Sequence, residues 1–271
     1  MKTRDPLIRL GSRLLTQFRK KAGLGHSLSE LDPSLAAEPL VFCAPPLGPE
    51  LTETIKLISP QFRLRSGDES SRRFWELNQN GLCWGEYWAI APFCRGLAPA
   101  KVLDIGPGLG RSTIFFKKQL GWQEVPFHLY ESTGSETRYT KAGPRFDDSF
   151  CGNLEVLGSV LRYNEIENFE IFDAREMGSR LAQLPGPYDL VYSFFAVGFH
   201  WSIGHFLEEL LLQMSDRAIG FFTLHNQFDD FSKLGDTPHR VVEFQSSWPR
   251  GARWRMLVLA KDESMLKARS A

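Results

Sequence analysis

From residue 101 onward, short apolar runs alternate with segments in which apolar residues recur every three to four positions. The short runs predict buried strands, and the longer segments predict amphipathic helices. Strands separated by helices favour parallel pairing in a doubly wound sheet with helices on both faces. The predicted strands are 102–105, 127–130, 169–172, 190–195 and 218–224, and the predicted helices are 112–120, 151–164 and 203–214.

The last two apolar runs, 240–244 and 254–260, are joined by a turn-rich segment that contains no helix. Strands joined without a crossover helix pair antiparallel, so we expect these two to form a hairpin at one edge of the sheet. The predicted fold class is therefore α/β, with a doubly wound, mostly parallel seven-stranded sheet, an antiparallel C-terminal hairpin and a helical N-terminal cap.

The N-terminal third has a different pattern. Prolines scattered between residues 23 and 60 exclude long regular elements there, apart from a helix over 51–58. Within an aromatic-rich stretch, Trp84, Tyr87 and Trp88 share one helix face. We interpret residues 1–96 as a helical and loop cap region and residues 97–271 as the main domain. The aromatic face is interpreted as core, with a roof over a ligand pocket as the alternative.

The first 21 residues carry seven basic residues against one acidic residue, and their apolar residues fall on one helix face. We interpret this segment as a basic helix docked on the surface of the protein. Weak contact with an anionic membrane surface and a targeting role are the alternatives.

Composition narrows the classes of partner. The chain has 32 basic and 32 acidic residues, so no net positive charge attracts nucleic acid, and no nucleic-acid partner is expected. Its four cysteines lack the spacing of a zinc site, and no apolar run reaches the roughly 18–20 residues of a membrane span. These features predict a cytoplasmic protein with free thiols, no metal and an undetermined oligomeric state.

The chemistry-bearing residues cluster after the predicted strands, where doubly wound sheets bind ligands. A loop with glycines at alternate positions, Asp104-Ile-Gly106-Pro-Gly108-Leu-Gly110, follows the first strand. The dinucleotide fingerprint G-x-G-x-x-G fails because position 111 is arginine, and no Walker lysine is present. A dehydrogenase that uses NAD is therefore a residual alternative.

This loop, with the apolar pair Val102-Leu103 before its acid, resembles motif I of the class I S-adenosylmethionine-dependent methyltransferases. The resemblance covers about residues 101–262. It implies that the cofactor is S-adenosyl-L-methionine and that Asp104 and the three glycines contribute to its site. It also implies that Glu131, after the second strand, binds the ribose hydroxyls and that Asp173, after the third strand, faces the adenine amino group. Asp104 bracing the glycine turn is the alternative for that residue.

The segment after the fourth strand is where this family places residues that face the methyl acceptor. Ser193 and Phe194 are predicted cofactor contacts, and His200 is the first candidate general base because its imidazole titrates near neutrality. A hydrogen bond within the loop is an equally weighted alternative for His200, and His225 is the second candidate base.

No Asp/Asn-Pro-Pro-aromatic tetrad is present, which argues against a nucleic-acid base amine as acceptor. We therefore predict an enzyme that O-methylates a small-molecule acceptor by in-line methyl transfer. Methylation of protein or RNA and a non-catalytic S-adenosylmethionine-binding module are the alternatives.

Overall fold

The computed structural model describes residues 40–45, 69–133, 153–178, 180–198, 202–224, 231–246 and 252–267. The basic segment 1–21 and the predicted helix over 51–58 lie outside these ranges. Within them, no helix is both long and apolar enough to cross a membrane.

A seven-stranded sheet forms the centre of the fold, in the order β3-β2-β1-β4-β5-β7-β6. The first five strands pair in parallel, and β7 pairs antiparallel with both β5 and β6. The predicted fold class, including the C-terminal hairpin, is confirmed. The strands are β1 (Val102–Ile105), β2 (Phe127–Glu131), β3 (Phe169–Asp173), β4 (Tyr188–Ser193), β5 (Met214–Leu224), β6 (His239–Ser246) and β7 (Ala252–Ala260).

Helices cover both faces of the sheet, and every residue of the inner strands β1 and β2 is buried. Residues of α1 (Glu69–Cys94), α2 (Arg111–Leu120) and α3 (Leu154–Tyr163) pack into the hydrophobic core on one face. Helix α4 (Ile203–Gln213) packs into the core on the other face. Short 3₁₀ helices lie at Leu181–Gln183, Phe231–Leu234 and Glu263–Leu266.

The N-terminal part of the described chain shares its core with the sheet domain. Trp84 of α1 meets Phe115 of α2 edge-to-face, with ring centroids 4.8 Å apart. In the same stripe, Trp88 stacks on Trp84 at 5.9 Å but is largely exposed. Helix α1 therefore belongs to one layer of the fold, which supports the core interpretation of the stripe for Trp84 and not for Trp88.

An extended segment, residues 40–45, ties α1 to α3 through two asparagines. The Asn80 amide accepts from the Phe42 N–H at 3.0 Å and donates to the Phe42 carbonyl at 2.8 Å. Asn164 brackets Cys43 in the same way, at 2.9 and 2.8 Å. These paired bonds satisfy buried backbone groups that no strand partner reaches.

The prediction that the fourth strand continues to residue 195 is wrong at its end, because β4 stops at Ser193. The backbone of Phe195 has φ of 69°, a left-handed conformation that a strand cannot contain. The Ser193 hydroxyl donates to the Ile105 carbonyl at 2.7 Å and accepts from the Val197 N–H at 2.8 Å. These bonds fold the chain into a turn against the end of β1.

Candidate cofactor-binding site

The three predicted acids lie at the carboxyl ends of the neighbouring parallel strands β1, β2 and β3. Glu131 and Asp173 lie directly opposite each other in the register of β2 and β3. Asp104, on β1, lies opposite Leu129, two residues before Glu131. Parallel pairing thus brings the three predicted acids to the same ends of neighbouring strands, and their role in binding stays a prediction.

All three glycines of the loop adopt left-handed φ values, of 73°, 58° and 74° for Gly106, Gly108 and Gly110. The surroundings differ, however. A Cβ at Gly106 would overlap the Ala196 side chain, and one at Gly110 would lie 2.9 Å from Leu161. A Cβ at Gly108 would meet nothing within 4 Å. Gly108 is therefore the position at which the loop borders open space rather than packed side chains.

Glu131 holds the middle of this loop. Its side chain is buried, and Oε2 accepts from the Gly108 N–H at 3.1 Å while Oε1 accepts from the Ser132 N–H at 3.0 Å. Burial raises the pKa of Glu131 from 4.5 to about 7, against the effect of the two backbone hydrogen bonds. Because the Gly108 N–H already faces a carboxylate, a phosphate group placed there would meet a negative charge.

Asp173 is held in orientation by its neighbours. Its Oδ1 accepts from the Ser132 hydroxyl at 2.6 Å and from the Arg175 N–H at 3.0 Å. Both of these hydrogen bonds are accepted by the same oxygen, Oδ1. The other oxygen, Oδ2, is thus oriented away from this pair of donors and is suited to accept from a ligand amine.

Asp104 is enclosed by protein. It is 1% exposed, and its Oδ2 accepts from the Thr113 hydroxyl at 2.6 Å. Burial raises its pKa from 3.8 to about 7, although hydrogen bonds from Thr113 and Tyr192 oppose the shift. These contacts connect β1, α2 and β4, which favours the bracing role over direct ligand contact.

The two cofactor contacts predicted after the fourth strand are also enclosed. Ser193 is fully buried and bonded to backbone groups of the turn, as described above. Phe194 is buried and stacks on Tyr192 at 5.0 Å. Both residues therefore shape the wall of this region through protein contacts, and their contact with a ligand stays a prediction.

Comparison with known proteins finds no specific relative. No family model matches the chain, and no curated protein matches it. A precorrin-6y C5,15-methyltransferase from Geobacter metallireducens is 13% identical, with a TM-score of 0.42 over 60% of this chain and 80% of that one. A spermidine synthase from Thermotoga maritima is 15% identical, with a TM-score of 0.45 over 69% and 62%. The tRNA methyltransferase TrmK of B. subtilis is 12% identical, with a TM-score of 0.42 over 69% and 66%.

The sheet order itself decides the architecture, because five parallel strands are followed by one antiparallel strand inserted beside the last of them. The fold is a doubly wound, Rossmann-like α/β sheet with an antiparallel C-terminal hairpin. In this fold the switch point of the sheet lies between β1 and β4, next to the glycine loop. The predicted cofactor residues after β1, β2 and β3 therefore lie at the edge where a doubly wound sheet receives its ligand.

The two candidate bases, His200 and His225, lie outside the described residues. In the sequence, His200 comes after β4 and His225 directly follows β5. Their roles remain predictions. Within the described chain, no group of three or more histidine, cysteine and acidic side chains is arranged to hold a metal ion.

One constellation was missed by sequence reasoning. Arg111, the residue that breaks the dinucleotide fingerprint, forms an ion pair with Glu86 of α1, with both N···O distances 2.7 Å. The side chain of Glu86 is 1% exposed and that of Arg111 is 12% exposed. Burial raises the pKa of Glu86, and Arg111 opposes this shift. The only sequence signal was a charged residue among the aromatics of α1. Nothing in the linear pattern pairs it with a residue 25 positions away.

Proposed function

We propose that this protein is a methyltransferase that uses S-adenosyl-L-methionine. The observation that supports the proposal best is the Glu131 carboxylate, which lies at the end of β2 and accepts the Gly108 N–H of the glycine loop. This arrangement suits a nucleoside with free hydroxyls and no phosphate. The open space beside Gly108 fits a ligand that approaches the backbone closely.

The residues at this edge fit that cofactor in their donor and acceptor chemistry. Glu131 accepts the ribose hydroxyls, since an ionised carboxylate offers more acceptor sites than its two backbone donors use. Asp173 accepts the adenine amino group through Oδ2. Together with Asp104 these carboxylates also favour a positively charged ligand over a phosphorylated one. When bound, S-adenosyl-L-methionine supplies a methyl group activated by a sulfonium.

For the acceptor, we propose a small-molecule hydroxyl. The described turn after β4 contacts the glycine loop, since a Cβ at Gly106 would overlap Ala196. His200, which follows this turn in the sequence, is the candidate that removes the hydroxyl proton. His225 is the second candidate. Support comes from the aromatic character of this segment and from the missing tetrad of amine-methylating enzymes.

Calorimetry with defined ligands tests the cofactor. We expect S-adenosyl-L-methionine and S-adenosylhomocysteine to bind, and NAD and ATP to give no signal. Gly108→Ala places a methyl group in the open space at the loop and should weaken binding by more than about tenfold, as steric displacement of a close backbone contact requires. Tight binding of NAD instead would overturn the proposal.

Gly121→Ala is the matched control for that variant. Gly121 also has a left-handed φ, of 69°, and also has nothing within 4 Å of a built Cβ, but it lies at the far end of α2. Both variants therefore carry the same backbone strain, of about 1–2 kcal/mol. Only Gly108→Ala should lose affinity. Equal affinities of the two variants would show that the ligand does not lie at the loop.

The acceptor is tested with a metabolite extract, the enzyme and a donor that carries a deuterated methyl group. Mass spectrometry should detect a small molecule with a mass increase of one labelled methyl. Label found only in protein or RNA would identify the alternative acceptor class. Tight cofactor binding with no labelled product from any fraction would identify a non-catalytic module.

A further inference from the structure

The guanidinium of Arg111 contacts three residues in two separate parts of the fold. Nη1 and Nη2 each donate to one Glu86 oxygen at 2.7 Å, and Nη1 also lies 3.2 Å from the Cys83 sulfur. On another side, the guanidinium carbon lies 5.5 Å from the centre of the Phe195 ring. Glu86 and Cys83 belong to α1, and Phe195 belongs to the turn after β4.

The ion pair of Arg111 with Glu86 contributes less to stability than its short distances suggest. A cation in the first turn of a helix opposes the helix dipole, and α2 has no side-chain cap at its N-terminus. Both charges are also removed from water, and apolar residues of similar size generally serve stability as well as a buried ion pair. The planar guanidinium does offer what apolar residues lack, a two-pronged fork and a flat face that stacks on an aromatic ring.

Arg111 lies between two loops that border the cofactor site. It directly follows Gly110, the last glycine of the loop and the N-cap of α2. The turn that it stacks on also touches the loop, because a Cβ at Gly106 would overlap Ala196, the neighbour of Phe195. Phe195 is itself in a left-handed conformation, which a side-chain contact helps to hold.

We propose that Arg111 is a positioning residue for the cofactor site: anchored by Glu86, it holds the Phe195 turn at a set distance from the glycine loop. This inference rests on the proposed function. If the ion pair only stabilised the fold, its loss would lower the unfolding midpoint but leave the ligand site of the folded protein intact.

The decisive variant replaces both partners by apolar residues, Arg111→Met with Glu86→Met. The double variant removes the fork and its anchor without leaving a charge buried alone, so it is expected to fold. We expect its affinity for S-adenosylhomocysteine, measured by calorimetry well below its unfolding midpoint, to fall about tenfold or more, as displacement of a preorganised site does. Wild-type affinity in this folded variant would overturn the inference.

Arg111→Lys gives a second, conservative test that keeps the charge. Lysine retains the attraction to Glu86 but loses the fork and the stacked plane. We expect a loss of affinity close to that of the double variant. Full affinity with lysine would mean that charge alone suffices, which contradicts the positioning role.

A measurement without ligand separates this inference from the proposed function. Hydrogen exchange of the ligand-free protein, followed by mass spectrometry, should speed up in peptides that contain the glycine loop and the Phe195 turn when Arg111 is replaced by lysine. Unchanged exchange in both peptides would overturn the positioning role. If the wild-type protein bound no S-adenosylhomocysteine, the proposed function would fail while this exchange result would still decide the role of Arg111.

The control is a second Arg–Glu pair, on the face of the sheet opposite α1 and α2. Arg180 donates to Glu209 of α4 at 2.6 Å on the surface. The double variant Arg180→Met with Glu209→Met should leave both the affinity and the exchange of the two loops unchanged. A comparable loss in this control would show that any ion pair has the effect attributed to Arg111.

Discussion

Two buried glutamates lie on either side of the glycine loop, and they are satisfied in opposite ways. Glu86, on α1, is buried and faces the guanidinium of Arg111, so its charge is neutralised within the protein. Glu131 accepts two backbone N–H groups and faces no cation among its hydrogen-bond partners. A carboxylate paired with a cation of the protein, like Glu86, needs no ligand to balance its charge. A carboxylate bonded only to backbone N–H groups, like Glu131, keeps a negative charge in its ionised form that can attract a cationic ligand or accept a hydrogen bond from a ligand hydroxyl.

The largest expected effect separates the two glutamates by stability. Glu86→Gln leaves the Arg111 charge buried without a counter-charge, and loss of one partner of a buried pair costs about 3–5 kcal/mol. Glu131→Gln strands no charge and should cost about 1 kcal/mol, for one backbone N–H left without an acceptor. Urea denaturation measures both. Equal losses would mean that Arg111 is neutralised by some other group.

Although Glu131→Gln should cost little stability, it should have a large effect on ligand affinity. Hydrogen bonds to a charged acceptor contribute about 1.5–3 kcal/mol, so Glu131→Gln should weaken binding of S-adenosylhomocysteine by about 10- to 100-fold. Glu170→Gln is the control, since Glu170 lies on the adjacent strand β3 but is largely exposed. Calorimetry on the two variants checks this. A similar loss in both would point to a general field effect rather than to a contact.

A change of pH should have a smaller effect, and it should act in opposite directions on ligand affinity and on the free energy of unfolding. The pKa of Glu131 is raised from 4.5 to about 7, so the population of its ionised form, the form proposed to bind the ligand, increases as pH rises through 7. Affinity for S-adenosylhomocysteine should therefore increase about tenfold between pH 6 and pH 8. In Glu131→Gln the same titration should be flat. A wild-type profile without this rise would contradict the role of the ionised carboxylate.

Stability of the ligand-free protein should change in the other direction. The folded state holds the Glu131 proton more tightly than the unfolded chain does, so unfolding releases protons between about pH 4.5 and pH 7. The free energy of unfolding should fall as pH rises through this window, and Asp104 adds to the fall because its pKa is also raised, from 3.8 to about 7. Denaturation curves at pH 5 and pH 7 measure it, with Glu131→Gln showing the smaller fall.

The smallest effect concerns the residue beside Glu131. Ser132→Ala removes the hydroxyl that donates to Asp173 at 2.6 Å but keeps the backbone N–H that Glu131 accepts. Affinity for S-adenosylhomocysteine should fall about threefold, since the orientation of Asp173 is weakened but its charge remains. Loss as large as that in Glu131→Gln would mean that Asp173, rather than Glu131, dominates binding.

The residues at the strand ends were predictable because each follows a buried apolar run directly. Glu131 and Asp173 end β2 and β3, and the glycine loop follows β1, as the pattern indicated. Parallel pairing then places them together without any further information. The end of β4 was misjudged because Phe194 and Phe195 continue the apolar run, whereas the Ser193 hydroxyl draws the backbone into a turn.

Contacts that depend on how the helices pack could not be predicted. Asn80 and Asn164 read as ordinary polar residues, yet each brackets one residue of the segment 40–45. Asp104 was assigned to the ligand by resemblance, and its contact with Thr113 became visible only when α2 was placed over β1. In each case the outcome depends on which helix packs where, and a linear pattern does not carry that information.

By itself, the amino-acid sequence determined the class of fold and the positions that line the strand ends, because strand periodicity, helix spacing and glycine loops are local properties. The tertiary structure decided which charges are neutralised and which remain available to a ligand. That distinction depends on burial and on partners brought together from distant segments, as in the pair of Arg111 with Glu86. Desolvation and distance, which set the energy of a charge, exist only once the chain is packed.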